Sequence, residues 1–245
     1  MFGLKVRTVK ILNRKNLEDI ANNILEKYRR LPKIKDNELY RIDPSILIKE
    51  LLNLNIEYAH LSLDENILGL TCFDEVDVLV YDEADLEYYL CLDGRTVVVE
   101  KNLISDIRQR GRANFTLMHE GCHQILNMLF PNSYGSNYKH RTLFFYKSNS
   151  EIYKFNQDWE EWQANTLAAL LLMPEELVKK GMFIFGLNEK IHLLNRVYSR
   201  DVYERFASLA DFLGVSKMAL AIRMKQLGLL EYENLKNPNK LIEIE

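Results

Sequence analysis

The sequence has little cysteine and lacks any long uncharged apolar run. Its three cysteines, Cys72, Cys91 and Cys122, are odd in number and do not have the spacing of a disulfide framework. Sparse cysteine is typical of proteins from a reducing compartment. The N-terminal stretch "MFGLKVRTVKILNRKN" is interrupted by charge too often for a signal-peptide core, and no apolar run reaches the length of a transmembrane helix. We therefore predict a cytoplasmic protein with no membrane partner.

The sequence also lacks a large net charge. Its 32 basic and 35 acidic residues give a net charge of −3, which provides no global electrostatic basis for binding nucleic acid or an anionic membrane. The charge is nevertheless uneven, because the first fifteen residues are basic and residues 74–87 carry seven acids without a base. We interpret each run as a solvated face, with a partner site as the alternative. The hydrophobic content of 47% is that of a globular protein with a substantial core.

Apolar periodicity predicts helices before a β-rich stretch. One helix is predicted over residues 16–30, and Asp43-Pro44 has the pattern of an N-cap followed by proline at the first position of a helix to about Asn53. Five short strands are predicted next, with Asp93-Gly94 as a hairpin turn between the last two. The predicted strands are "IEYAHLSL", "ILGLTCF", "VDVLVY", "EYYLCL" and "RTVVVE".

The rest of the chain is predicted to be mainly helical. Helices are expected over 112–130 and 158–173, and a wholly helical pattern runs from about 188 to 230. Residues 131–157 show no firm periodicity, and a connection of that length is often functional. Because helices flank a small β-region without βαβ alternation, we predict an α+β fold.

The stretch "FTLMHEGCHQILN", residues 115–127, contains His119 and His123 four positions apart, with Glu120 between them. On a helix such residues lie one turn apart on one face, so the two imidazoles can point at one ion. The alternative is a structural pair of core histidines. The helix is predicted to pack through an apolar stripe of Phe115, Met118, Cys122, Ile125, Leu126 and Leu129. Its polar side, facing an open cleft, is predicted to hold Glu120, Thr116 and Asn127.

This is the HExxH arrangement of zinc peptidases. Zinc acts there as a Lewis acid that lowers the pKa of its water toward ~7. The glutamate takes the proton from that water and delivers it to the leaving amine, so it must lie beside the ion without binding it. Glu120 occupies that position, directly after the first histidine.

A catalytic zinc also needs a third protein ligand. The downstream histidine of the HExxHxxGxxH pattern is absent, since Leu126 and Leu129 occupy the positions concerned. Three further histidines are isolated and are interpreted as ordinary polar residues: His60, His140 and His192. The better source is "DWEEWQANTLAALLLMP", residues 158–174, a predicted helix whose alanines permit close helix packing. Its periodicity does not choose between Glu160 and Glu161.

The segments "RANFTLMHEGCHQIL" and "EWQANTLAALLLMP" together resemble the ImmA/IrrE family of metallopeptidases. The resemblance covers roughly residues 40–230 and rests on two separated motifs in the right order. It implies a zincin-like, gluzincin-type metallopeptidase domain with a small mixed or antiparallel sheet. It also implies zinc bound by His119, His123 and Glu161, with Glu120 as the general base. Asn165, one turn beyond Glu161, is then a candidate partner for a histidine ligand.

The chain departs from the family pattern at a few positions near the motif. Gly121 and Cys122 stand where a bulky and then a small residue are usual, and Leu167 stands where phenylalanine is common. Glycine within a helix costs up to ~1 kcal/mol relative to alanine, which is tolerable if a side chain packs closely there. Cys122 is interpreted as a core residue. The long 131–157 connection is the candidate cleft rim, and its candidate transition-state donors are Tyr134, Tyr138 and His140.

The C-terminal segment "RFASLADFLGVSKMALAIRMKQLGLL" has helix-turn-helix spacing, with Gly214 in the turn. Its second helix carries Lys217, Arg223 and Lys225 but few polar side chains that reach bases. We therefore favour a structural or partner-docking role over DNA contact. Three arginines precede the HExxH helix and are interpreted as a solvated surface, with an acidic substrate segment as the alternative: Arg108, Arg110 and Arg112. The predicted organisation is an N-terminal helical segment (1–35), the metallopeptidase domain (36–187) and a helix-turn-helix-like subdomain with its tail (188–245).

The resemblance implies a zinc-dependent endopeptidase of narrow specificity that cleaves a helix-turn-helix repressor, encoded nearby on a mobile element or in a stress-response locus. Two alternatives are kept. One is a non-catalytic zincin-like regulator that binds its repressor or DNA through the helical subdomain. The other is a hydrolase of small amides. The intact Glu120 argues against the first, because a structural metal site has no use for a general base.

Overall fold

A computed structural model of the chain describes residues 12–35, 40–131, 142–146, 159–187, 189–194 and 197–233, with the backbone alone at 142–146, 194 and 233. The helices are α1 (Arg14–Arg29), α2 (Pro44–Ile46), α3 (Asn102–Ser105), α4 (Arg110–Leu129), α5 (Trp159–Leu172), α6 (Glu175–Ile184), α7 (Arg200–Leu213) and α8 (Lys217–Gln226). A π-helix, Leu47–Leu51, continues α2, and a 3-10 turn, Ile107–Gln109, precedes α4. The strands are β1 (Asn55–Ala59), β2 (Ile67–Cys72), β3 (Glu75–Tyr81), β4 (Glu87–Asp93), β5 (Thr96–Glu100), β6 (Thr142–Tyr146), β7 (Ile191–Leu194) and β8 (Leu230–Glu233).

The described helices include none that combines the length and apolarity needed to cross a bilayer.

The start of α2 follows the sequence prediction closely. The Asp43 carboxylate accepts hydrogen bonds from the backbone N–H groups of Ser45 and Ile46, and Pro44 occupies the first turn. This satisfies donors that a helix start leaves unpaired, so the N-cap prediction is confirmed.

A four-stranded mixed sheet has the order β1-β5-β2-β6. Strand β5 pairs in parallel with β1 and antiparallel with β2, and β2 pairs antiparallel with β6. The α+β prediction is confirmed, because the described strands form small mixed and antiparallel sheets without regular βαβ alternation. The prediction of no regular structure over 131–157 is wrong at β6, which forms an edge of this sheet. Its sequence, "TLFFY", is rich in strand-favouring residues, but polar neighbours on both sides hide the periodicity.

Strands β3 and β4 form a separate antiparallel hairpin. The predicted hairpin turn at Asp93-Gly94 is therefore wrong, since β4 pairs with β3 whereas β5 pairs within the four-stranded sheet. Asp93 and Gly94 instead form the connection between the two sheets. Gly94 adopts a left-handed φ of 75°, and Asp93 accepts hydrogen bonds from the backbone N–H of Arg95 and the hydroxyl of Thr96. The chain thereby crosses from one sheet to the other.

Helix α4 lies between the four-stranded sheet and the helical layer. It packs against β2 and β5 on one side and α5 on the other, and α1 covers α5. As a result, every residue of α4 from Thr116 to Leu126 is buried. Small side chains, Ala164 and Ala168, are fully buried in α5, as expected where helices approach closely.

The C-terminal region contains a helix-turn-helix-like pair, as predicted. Gly214 ends α7 with a left-handed φ of 70°, and Ser216 caps α8. The prediction of a wholly helical region over 188–230 is wrong, because β7 pairs in parallel with β8. Ile191 and Leu193 are buried with a period of two, which is the spacing of a strand.

The largest cluster of buried apolar side chains draws on all three predicted segments of the chain, for example Leu17, Leu171 and Leu220. Helix α4 also touches the C-terminal pair, since the side-chain amide of Asn114 donates to the carbonyl of Gly214 at 2.8 Å. The division at residues 35 and 187 stays a prediction.

Candidate metal centre

The two histidines of the HExxH motif lie on successive turns of α4. Their Nε2 atoms are 3.0 Å apart, and both side chains are almost fully buried. This proximity follows from their spacing of four residues, which places both rings on the α5 side of the helix.

Glu161 of α5 completes the group. Its carboxylate oxygens lie 3.1 Å from His119 Nε2 and 3.1 Å from His123 Nε2. Within the described ranges, these three residues are the one group of at least three histidine, cysteine or acidic side chains whose ligand atoms fit a common ion. Glu160, the alternative that periodicity left open, is buried outside this group.

The separations suit a tetrahedral metal ion. Ligand atoms placed ~2.0–2.2 Å from such an ion lie about 3.3–3.6 Å apart, so the 3.0–3.1 Å seen here requires only a small outward shift of the side chains. Burial lowers the pKa of His119 and so favours the neutral imidazole, the form that binds metals. Burial alone would raise the pKa of Glu161, but the neighbouring imidazoles outweigh it and lower the pKa. Two imidazoles and one carboxylate therefore converge, and a cation would stabilise such a set.

Asn165 fixes the orientation of the first histidine. It lies one turn beyond Glu161, and its side-chain oxygen is 3.2 Å from His119 Nδ1. A hydrogen bond from Nδ1–H to this oxygen leaves the Nε2 lone pair facing the centre of the triad. Glu161 and Asn165, on one face of α5, therefore contact both ring nitrogens of His119.

Glu120 is fully buried, contrary to the prediction that it faces an open cleft. The sheet covers that side of α4, and neither carboxylate oxygen has a hydrogen-bond partner within the described structure. Burial, assisted by the negative charge of Glu161, raises the pKa of Glu120 well above its usual range. An ionised carboxylate here is costly without a nearby cation. The two unpartnered oxygens are thus a second feature that fits a metal ion at the triad.

The space for Glu120 comes from Gly69 in β2. A Cβ atom at Gly69 would lie 2.6 Å from Thr116 Cγ2 and 2.9 Å from Glu120 Cγ. None of the sequence motifs points to this glycine. The signal was nevertheless present, because an isolated glycine within a strand often marks the close approach of another element.

Replacement of Gly69 by alanine is expected to lower the free energy of unfolding by about 1–3 kcal/mol, because the sheet and α4 must move apart. The matched control is Gly121→Ala, where the added Cβ meets the Ile48 side chain at 3.0 and 3.1 Å, which is less close than the contacts at Gly69. Urea denaturation of both variants measures the difference, and equal stabilities would show that Gly69 is not required for close packing.

The remaining candidate residues lie elsewhere. His60 contacts Glu100 at 3.0 Å, and His192 is exposed beside Glu231. Cys122 is fully buried, and burial raises the pKa of its thiol, in agreement with a core role. Three predicted transition-state donors lie outside the described residues: Tyr134, Tyr138 and His140.

The triad can be approached from solvent through Glu161. The side chain of Glu161 is 24% exposed, whereas both histidines are 1% exposed. The arrangement therefore suits three protein ligands and a further position for water or substrate. Comparison with models of known protein families and with curated proteins finds no match to this chain.

Proposed function

We propose that the protein is a zinc-dependent metalloendopeptidase of the ImmA/IrrE type, with a zincin-like catalytic domain. The observation that carries the proposal is the convergence of His119, His123 and Glu161 within bonding distance of a common ion. The quoted ImmA/IrrE motifs support it independently. The buried, unpartnered carboxylate of Glu120 beside this triad supports a catalytic arrangement over a structural one.

Each residue then has a defined task. The two histidines and Glu161 would hold the metal, with Asn165 holding His119 in the required orientation. Zinc, when bound, supplies a Lewis acid that polarises the scissile carbonyl and acidifies a water molecule. Glu120 accepts the proton of the attacking water and passes it to the nitrogen of the departing amine. Its burial excludes bulk solvent, which strengthens this proton transfer.

We further propose that the substrate is a helix-turn-helix repressor encoded near this protein. A cytoplasmic peptidase must act narrowly, and the α7–α8 pair adds a protein-docking surface beside the catalytic domain. The alternative is a non-catalytic regulator that binds a repressor or DNA through the same pair. Arg223, one of the three positive charges of α8, argues against DNA contact, because it is buried and donates to the carbonyl of Met173 at 3.0 Å.

The direct test is incubation of the zinc-loaded protein with the helix-turn-helix protein encoded nearby, with and without a chelator. We expect a defined cleavage, seen by mass spectrometry, that the chelator stops and added zinc restores. Binding of the repressor without any cleavage would support the regulator instead.

Asn165→Ala is expected to weaken zinc binding by roughly 10–100-fold, because His119 loses the group that fixes its tautomer and orientation. Competition with a chromophoric chelator measures the affinity. Asn114→Ala is a suitable control, since that amide contacts the Gly214 turn and not the triad. Equal affinities in the wild type and Asn165→Ala would contradict the orienting role.

A further inference from the structure

The β3–β4 hairpin has two chemically different faces. Its inner face packs into a small core through Val78, Val80 and Leu92. The cross-strand register places Glu75 opposite Asp93, Asp77 opposite Cys91, and Leu79 opposite Tyr89 on the other face. We call this second face, together with Tyr81 and Glu87, the outer face. Antiparallel sheets commonly leave one face to solvent, so the composition of the outer face decides whether it is more than a solvated surface.

The charge of the hairpin is entirely negative. Residues 74–93 contain eight acids and no lysine or arginine. Since the whole chain has a net charge of −3 and this segment contributes −8, the remainder carries +5. Glu83 is paired with Lys101, and on the outer face Asp77 and Glu87 are exposed. The hairpin therefore presents an excess of negative charge that is complementary to a cationic partner.

The outer face is also apolar at its centre. Leu79 and Tyr89 lie opposite each other and are 37% and 69% exposed, and Leu86 near the tip is 65% exposed. At the base of the hairpin a concavity of about 550 Å³ is lined by residues of both faces: Glu75, Val76, Asp77, Cys91, Leu92 and Asp93. Aromatic residues are enriched at the centres of protein interfaces, whose rims are polar, so Tyr89 is a suitable anchor for a partner.

The hairpin is tied to the helix that carries the candidate metal centre. The side-chain amide of Gln124, the residue after His123, donates to the carbonyl of Cys72 at 2.7 Å and to that of Gly94 at 3.3 Å. Cys72 ends the strand before the hairpin, and Gly94 follows its last residue. A partner seated on the outer face is thus held in a fixed relation to α4.

We propose that the outer face of the β3–β4 hairpin docks a basic helix of the protein substrate. This rests on the proposed function, because a repressor that binds DNA must present lysine and arginine side chains to phosphates. The acidic rim pairs with those cations, and Leu79 and Tyr89 pack against the aliphatic parts of the same helix. The surface that the peptidase recognises is then the surface that binds DNA, so duplex DNA competes with the peptidase for the repressor.

The test uses the full-length, zinc-loaded protein and a fluorescein-labelled amphipathic helical peptide with arginine and lysine on one face and leucine on the other. Fluorescence anisotropy compares the wild type with Glu75→Gln/Asp77→Asn/Glu87→Gln. We expect the Kd of this variant to rise at least about tenfold. The control removes three exposed acids outside both the hairpin and the α7–α8 pair, and its Kd is expected to stay within about twofold: Asp19→Asn, Glu26→Gln and Glu50→Gln. An equal loss in both variants would reduce the effect to general charge and overturn the proposal.

A second variant separates docking from electrostatics alone. Tyr89→Thr keeps the charge and a strand-favouring residue, and it is expected to weaken peptide binding about threefold or more. An unchanged Kd for Tyr89→Thr would overturn the role of the apolar centre. Thermal melting of each variant shows whether the fold is retained. Peptide binding needs no catalysis, so the two proposals can fail separately. Hairpin-dependent peptide binding without repressor cleavage would reject the proposed function. Repressor cleavage without hairpin-dependent peptide binding would reject the docking surface.

Discussion

Glu120→Gln is expected to abolish repressor cleavage while leaving zinc bound. Glutamine has nearly the shape of glutamate, so it fits the space beside Gly69, and it leaves all three ligands of the triad in place. It cannot accept a proton, however, and the loss of a general base costs about 10²–10⁴-fold in rate. The measurement is the single-turnover cleavage rate, together with the zinc content of the same sample.

The raised pKa of Glu120 sharpens this expectation. Burial and the charge of Glu161 favour the protonated carboxyl, which is not a base. A divalent cation held by the triad acts in the opposite direction and restores the carboxylate. Glu57→Gln, an exposed change of the same kind on β1, serves as the control and should cut at the wild-type rate. Cleavage by Glu120→Gln at that rate would exclude Glu120 as the base.

Glu161→Ala is expected to lose zinc, whereas Glu160→Ala is not. Removal of Glu161 takes away the one carboxylate ligand and leaves only the two imidazoles. Even the loss of a group that only orients a ligand costs 10–100-fold in metal affinity, so the loss of a ligand should cost more than ~100-fold. Metal affinity by chelator competition compares the two variants.

The neighbouring glutamates make this a stringent comparison. Both belong to the first turn of α5, but the two oxygens of Glu161 face the histidines and Glu160 is buried outside the triad. Circular dichroism confirms that each variant is folded before its affinity is measured. If Glu160→Ala lost zinc and Glu161→Ala retained it, Glu160 and not Glu161 would be the third metal ligand.

The parts of the site that depend on local spacing could be predicted from the sequence. His119 and His123 meet because a helix repeats every 3.6 residues, and the same spacing brings Glu161 and Asn165 to one face of α5. The packing of α4 against α5 depends on tertiary structure, which local spacing does not determine. Residue patterns alone therefore did not decide whether Glu160 or Glu161 is the third ligand. Only the resemblance to a family chose Glu161.

The errors arose where one element is covered by another that is distant in sequence. Thr116 and Glu120 are polar, so the helical pattern placed them toward solvent, but β2 covers them through Gly69. Asp93-Gly94 has the composition of a hairpin turn, yet strand pairing elsewhere makes it a crossing between sheets. Short strands such as β7 are stabilised by a partner far along the chain and leave little local signal.

Zinc content is the most direct measure of the central claim, that His119, His123 and Glu161 together hold one metal ion. Purified protein, loaded with zinc and dialysed, is analysed by inductively coupled plasma mass spectrometry beside a variant carrying His119→Ala and His123→Ala. We expect about one zinc ion per chain in the wild type and almost none in the variant. Equal zinc content in the two proteins, or none in either, would contradict the claim.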